Sequence, residues 1–413
     1  MDLMNCDILI FFLFGVIFII LFLLSYSNFV KKLLSGEKTY RFLLFLILLF
    51  QITAIALTKF EVGDVFLFSK AGHYLGEKLD FYEFDSAHSQ YPFFPFLMYF
   101  YSIFHLLAGS FNFFTFSFFL KLFLLLPCLW GLSFLVKSAG NNEIEKRLSQ
   151  IQFLTSPIVY FVILFHGQTD VVLLFLFFAS AIVSLPVLKT KNTLIGAIFF
   201  GLSILAKTWS VIFIPMYLLF QKNLKKSLLF FLTVILILIA DIFIYFKSVY
   251  YTKLDNIIPA ISKPGGPSGV WGLSFFFSPF INAVEFITKN NLVIFAILLS
   301  IIYFLVWKTK RNFWESCFLL ILGIYLIIPN WGVQYLFWIL PFIFMIKPGL
   351  SPKLVQTFTF LATAYLLASY TNIIFNRQAI NLSYIYSLGV ILWLFIFYWF
   401  VFEVFQKKRV IKS

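Results

Sequence analysis

A lone aspartate, Asp64, stands a few residues beyond an apolar run at about 42–58, and a carboxylate at that height can reach a lipid headgroup. Of the 17 acidic residues, Glu61, Asp64, Glu77, Asp80, Glu83 and Asp85 share this stretch, where acids also serve simply to keep a loop solvated. A second polar group, His166-Gly167-Gln168-Thr169-Asp170, interrupts two apolar helices. Such a turn can bond several hydroxyls at once, and Thr169 or Asp170 can equally cap the following helix. Lys207 sits between two apolar halves, where an ionisable group is costly and tends to be functional. It can hold a phosphate as a point charge, or snorkel to the interface. Arg377 is a second phosphate candidate. In Pro329–Tyr335, aromatic faces and the Gln334 amide suit a sugar ring, with Tyr335 beside it. Tyr91 and His88 add sugar- or acceptor-binding candidates in the first acidic stretch, and Asp241 is a buried acid without an assigned role.

These residues need a membrane to hold them. Of 413 residues, 62% are apolar, 22% aromatic and 12% charged, against about 45–50% apolar and about 25% charged in ordinary globular domains. Water would not tolerate that surface, so the expected fold is all-α, a polytopic bundle whose spans of roughly 20 residues satisfy their own backbone. The net charge of +14 does not point to nucleic acid. The basic residues come in short clusters between apolar runs, as in cytoplasmic loops. Cys6, Cys128 and Cys317 are scattered without metal-like spacing. The first run lacks a basic lead and reads as a retained span.

Seven basic clusters, from Lys31/Lys32 to Lys407/Lys408, mark the inner side, and the chain must cross an even number of times between neighbours. The interval from Arg41 to Lys137 holds runs at about 42–58, 91–109 and 113–136, one too many. The middle one opens Tyr91-Pro92-Phe93-Phe94-Pro95 and suits an interfacial or re-entrant helix. Residues 59–112 then form the first outer loop and 247–290 a second long one, within a single transmembrane domain, 1–413. About 13 crossings follow, with the N-terminus outside.

Read together, the segments resemble the GT-C glycosyltransferases. The resemblance lies in Asp64 with Ala71–Gly76, Phe81-Tyr82 and Tyr91–Pro95, then the His166–Asp170 turn, then Gly196–Pro215 around Lys207, then Gln334–Pro341. It is nearest to mannosyltransferases related to the GPI mannosyltransferases. An extra apolar run at about 8–25 precedes the first loop, and no second acid stands beside Asp64. The resemblance implies transfer of one hexose, mannose before glucose, from a polyprenyl-phosphate donor to a hydroxyl of a glycolipid or glycan on the outer face, with inversion. Asp64 would be the general base, and Lys207 with Arg377 would hold the donor phosphate. His166, Gln168, Asp170, Gln334, Tyr335, Tyr91 and His88 would bind sugar or acceptor. No cofactor is assigned, and a divalent metal at Asp64, Asp80, Asp85 and His88 stays open. A transporter or flippase of lipid-linked saccharides, or an oligosaccharide ligase or polymerase, is the alternative.

Overall fold

A lipid-embedded chain has no water to bond its backbone, so it must close those bonds within each helix. Every described element is helical. The computed structural model describes residues 3–58, 63–85, 93–109, 113–137, 142–185, 192–221, 223–262, 271, 280, 285–287, 289–328, 331–346, 350–374 and 381–406.

Besides a short helix at Asn28–Leu33, the helices in chain order are α1 (Leu3–Leu24), α2 (Glu37–Leu57), α3 (Gly63–Gly76), α4 (Phe81–Asp85), α5 (Phe96–Ala108), α6 (Phe113–Lys137) and α7 (Glu143–Phe165). There follow α8 (Asp170–Ser184), α9 (Thr193–Ala206), α10 (Thr208–Gln221), α11 (Leu224–Ser248) and α12 (Leu254–Ser262). The last are α13 (Asn291–Lys308), α14 (Phe313–Ile327), α15 (Val333–Ile346), α16 (Pro352–Ile374) and α17 (Leu382–Phe405).

Among the described residues, 7 helices are long and apolar enough to cross a bilayer: α1, α2, α6, α7, α11, α16 and α17. This is a membrane protein. On α11, Leu228, Leu232, Leu236, Ile239 and Phe243 form an exposed stripe, while Phe230, Val234, Asp241 and Tyr245 are buried. A water-facing helix would reverse that pattern. The expected 13 crossings meet 7 full-length helices, and α5, α8, α9, α10, α13, α14 and α15 are shorter apolar pieces.

The chain forms two compact units. The first comprises 1–11, 48–135 and 163–263, and the second comprises 12–47, 136–162 and 264–413. In the first unit the outer loop expected over 59–112 contributes α3, α4 and α5, none of spanning length. A Cβ on Gly72 would lie 2.5 Å from the backbone of Tyr101, so only glycine lets α3 meet α5 this closely. Phe68 stacks on Tyr101 at 5.0 Å beside that crossing. Helices α8 and α9 pair through small residues, as membrane helices do. Ser180 Oγ donates to the Gly196 carbonyl at 2.6 Å, and Tyr217 Oη donates to Ser180 Oγ at 2.8 Å. In the second unit Arg311 Nη1 pairs with Glu403 at 3.0 Å, joining the start of α14 to the end of α17.

Candidate active site

Local structure aims each polar side chain of the first unit before any tertiary contact is made. Asp64 lies in the first turn of α3, where the helix dipole favours a negative charge. Residues Tyr160–Phe165 wind as a π-helical turn, a feature frequent at functional sites. The chain then turns at Gly167, whose φ of +76° suits glycine. That turn sends His166 and Gln168 inward, where both are buried. Thr169 occupies the N-cap position of α8 but makes no side-chain cap bond, so the capping role open from the sequence is not taken. Helix α9 ends at Ala206, and Lys207 is extended before a short 3-10 turn.

The three segments meet. Gln168 Nε2 donates to Asp64 Oδ2. On its other side, Lys207 Nζ donates to Gln168 Oε1 at 3.1 Å. One amide therefore links the carboxylate to the ammonium. Asp170 Oδ2 accepts from Lys207 Nζ at 2.6 Å, and Asp170 Oδ1 accepts from Trp209 Nε1 at 3.2 Å. Phe93, from the Tyr91–Pro95 segment, lies under Lys207 with its ring centre at 5.2 Å.

His166 Nε2 lies 2.8 Å from Gln168 Nε2 and 3.3 Å from Asp64 Oδ2. A neutral ring with Nε2 unprotonated accepts from the amide, and a protonated ring donates to the carboxylate. Among the described residues, every contact to Asp64 falls on Oδ2, and its side chain is 45% exposed, so Oδ1 is open to an incoming hydroxyl. Burial raises the carboxyl's pKa. The hydrogen bond and charge of His166, the charge of Lys207 and the Gln168 amide outweigh that, pulling it down to about 2.

The lysine expected to take a phosphate is already paired with a buried carboxylate, which matches its charge and uses one of its three N–H groups; Gln168 uses another. Lys207 is no naked cation. A second lysine, absent from the sequence reading, stands close. Lys121 of α6 is buried, and its Cε lies 3.4 Å from where a Cβ on Gly167 would sit. The signal was present, because a single lysine inside an apolar run is rarely idle.

Of the metal group left open from the sequence, Asp80 is engaged by other partners. That carboxylate is buried and accepts from Tyr82 N, Tyr245 Oη, Thr252 Oγ1 and Asn256 Nδ2 at 3.0, 2.8, 2.6 and 3.1 Å, which ties the segment before α4 to α11 and the chain after it. Among the described residues, no group of three or more His, Cys, Asp and Glu is placed to hold a metal. The Asp85 side chain, His88, Tyr91 and Arg377 lie outside the described residues. Gln334 and Tyr335 belong to the second unit. There the Tyr335 carbonyl accepts from Tyr325 Oη, and Trp331 stacks on Trp271 at 3.7 Å, so one face of this aromatic platform is covered by its own neighbour. Asp241 is buried on α11 and interacts with the Phe96 backbone at the start of α5.

Compared with protein families, curated proteins and solved structures, the chain finds no match.

Proposed function

We propose that the protein is a membrane glycosyltransferase of GT-C type. It moves one hexose, mannose in preference to glucose, from a polyprenyl-phosphate donor to a hydroxyl of a glycolipid or glycan on the extracytoplasmic face, with inversion. One observation carries the reading. Asp64, the His166–Asp170 turn and Lys207, distant in sequence, form one hydrogen-bonded chain, and among the described residues its contacts to Asp64 leave one carboxylate oxygen unengaged.

The acceptor oxygen forms a bond to the anomeric carbon as the bond from that carbon to the phosphate oxygen breaks. The electron pair leaves with the phosphate, and the acceptor proton passes to Asp64 Oδ1. A weak base suffices, because an oxygen bonded to three carbon or hydrogen substituents is far more acidic than any carboxylic acid. The phosphate leaves without a proton, so one carboxylate does the work for which glycosidases use two. Negative charge builds on that phosphate and calls for fixed cationic support. Lys207 is a buried cation whose charge reaches the carboxylate, Lys121 is buried beside the Gly167 turn, and Arg377 is a further candidate. The Lys207–Asp170 pair also fixes Gln168, which aims Asp64.

The test is an assay of purified protein with polyprenyl-phosphate-mannose and polyprenyl-phosphate-glucose against glycolipid acceptors. Wild type should release polyprenyl phosphate and a glycosylated product, and Asp64→Asn should lose at least about 100-fold in turnover with unchanged gel-filtration behaviour. Near-normal turnover by Asp64→Asn removes the carboxylate from the mechanism, and no transfer from either donor removes the assignment.

A further inference from the structure

A second feature of the first unit lies at the far end of α3 from Asp64. A cavity of about 590 Å³ opens between the end of α3, α5 and the last turn of α11. Its charged lining is Lys78 and Lys247, and no acidic residue lines it. Neither lysine has a carboxylate partner among the described residues. Ser102 and Ser248 also line it, the Ser248 hydroxyl donating to the Ile244 carbonyl at 2.8 Å, and Ile103 and Leu106 form an apolar wall.

The backbone keeps Lys78 in place at a conformational cost. Its φ is +56°, in the left-handed region that glycine usually occupies after a helix. Its carbonyl accepts from Tyr250 N at 2.9 Å, which fastens this corner to the chain after α11. Glycine would fit the geometry more easily but would carry no charge. Lys247 sits in the last turn of a helix long enough to span the bilayer, at the level where lysines reach lipid phosphates. Ile103, Leu106 and Leu107 are exposed beside it, an apolar surface continuous with the cavity.

We propose that this cavity is a binding site for the phosphate headgroup of an anionic glycerophospholipid, with an acyl chain lying along Ile103 and Leu106. Helix α3 has 14 residues, a rise of about 20 Å, so a phosphate held here cannot be the one bonded to a sugar reacting at Asp64. The site stands whether or not the protein transfers sugars.

The experiment is native mass spectrometry of the full chain in detergent with phosphatidylglycerol, phosphatidylcholine, polyprenyl phosphate or inorganic phosphate added in turn. Wild type should retain phosphatidylglycerol at least about tenfold better than phosphatidylcholine, and millimolar inorganic phosphate should not displace it. Lys78→Gln/Lys247→Gln should abolish the preference, while Lys78→Arg/Lys247→Arg keeps it. Equal retention of the two phospholipids by wild type overturns the proposal without any variant. So does a preference that survives the Gln pair, or polyprenyl phosphate displacing phosphatidylglycerol at equal concentration.

Discussion

At the scale of single residues, the site is defined by which charges are matched. Because Asp64 is held down to about 2, it stays a carboxylate throughout the physiological range. Its depressed value stabilises the fold above the unfolded carboxylate range, near 3.9, and that contribution is lost as pH falls through about 2. We expect no loss of turnover attributable to Asp64 protonation between pH 5 and 8. A wild-type pH–rate profile with an acid limb near 4 or above that moves in Asp64→Glu contradicts the networked carboxylate. Lys207 and Asp170 form the opposite case, a buried pair, with Asp170 fully enclosed. Lys207→Met strands that carboxylate and should destabilise the protein by about 3–5 kcal/mol. Lys207→Met/Asp170→Leu should recover a large part of the thermal midpoint in detergent yet remain inactive, since Gln168 has lost its anchor. A double variant as unstable as the single one means that the pair is not the source of the cost.

At the scale of elements, close approach decides the geometry. Helix α3 carries Asp64 at one end and crosses α5 at Gly72. Gly72→Ala puts a methyl into the Tyr101 backbone, which cannot yield as a flexible side chain would. We expect a cost of about 1–3 kcal/mol, a lower thermal midpoint and a turnover reduced beyond what the remaining folded fraction explains, because Asp64 moves with the helix. Unchanged stability and turnover would show that the crossing is looser than drawn. The same logic applies at Gly167, where a Cβ would lie 2.9 Å from Val65, the neighbour of Asp64. That glycine had no visible purpose in a linear reading. Its partner is a residue about a hundred positions away, and only folding brings the two together.

At the scale of the whole molecule, the charge clusters and the apolar helices make one claim about threading. In a background with Cys6 replaced by serine, cysteine placed at exposed Glu77 should react with an impermeant maleimide from outside intact cells. Cysteine at exposed Lys225 should react only after permeabilisation. The reverse pattern inverts the orientation and moves the Asp64 site to the other face.

What the sequence determined by itself was the solvent and the element type. A chain with this much Leu, Ile and Phe must enter lipid, and lipid leaves helix as the economical backbone solution. The break around Lys207, the short helix over 96–108 and the turn at His166–Asp170 were legible because proline, glycine and isolated polar groups interrupt helical patterns locally. Tertiary structure alone decided that Asp170 neutralises Lys207, that Gln168 spans from Asp64 to that lysine, that Lys121 is enclosed beside the turn, and that Asp80 anchors a loop. Spacing along a chain carries no information about which buried charge finds which, since pairing in a low-dielectric interior depends on distances of a few ångströms between segments far apart in sequence.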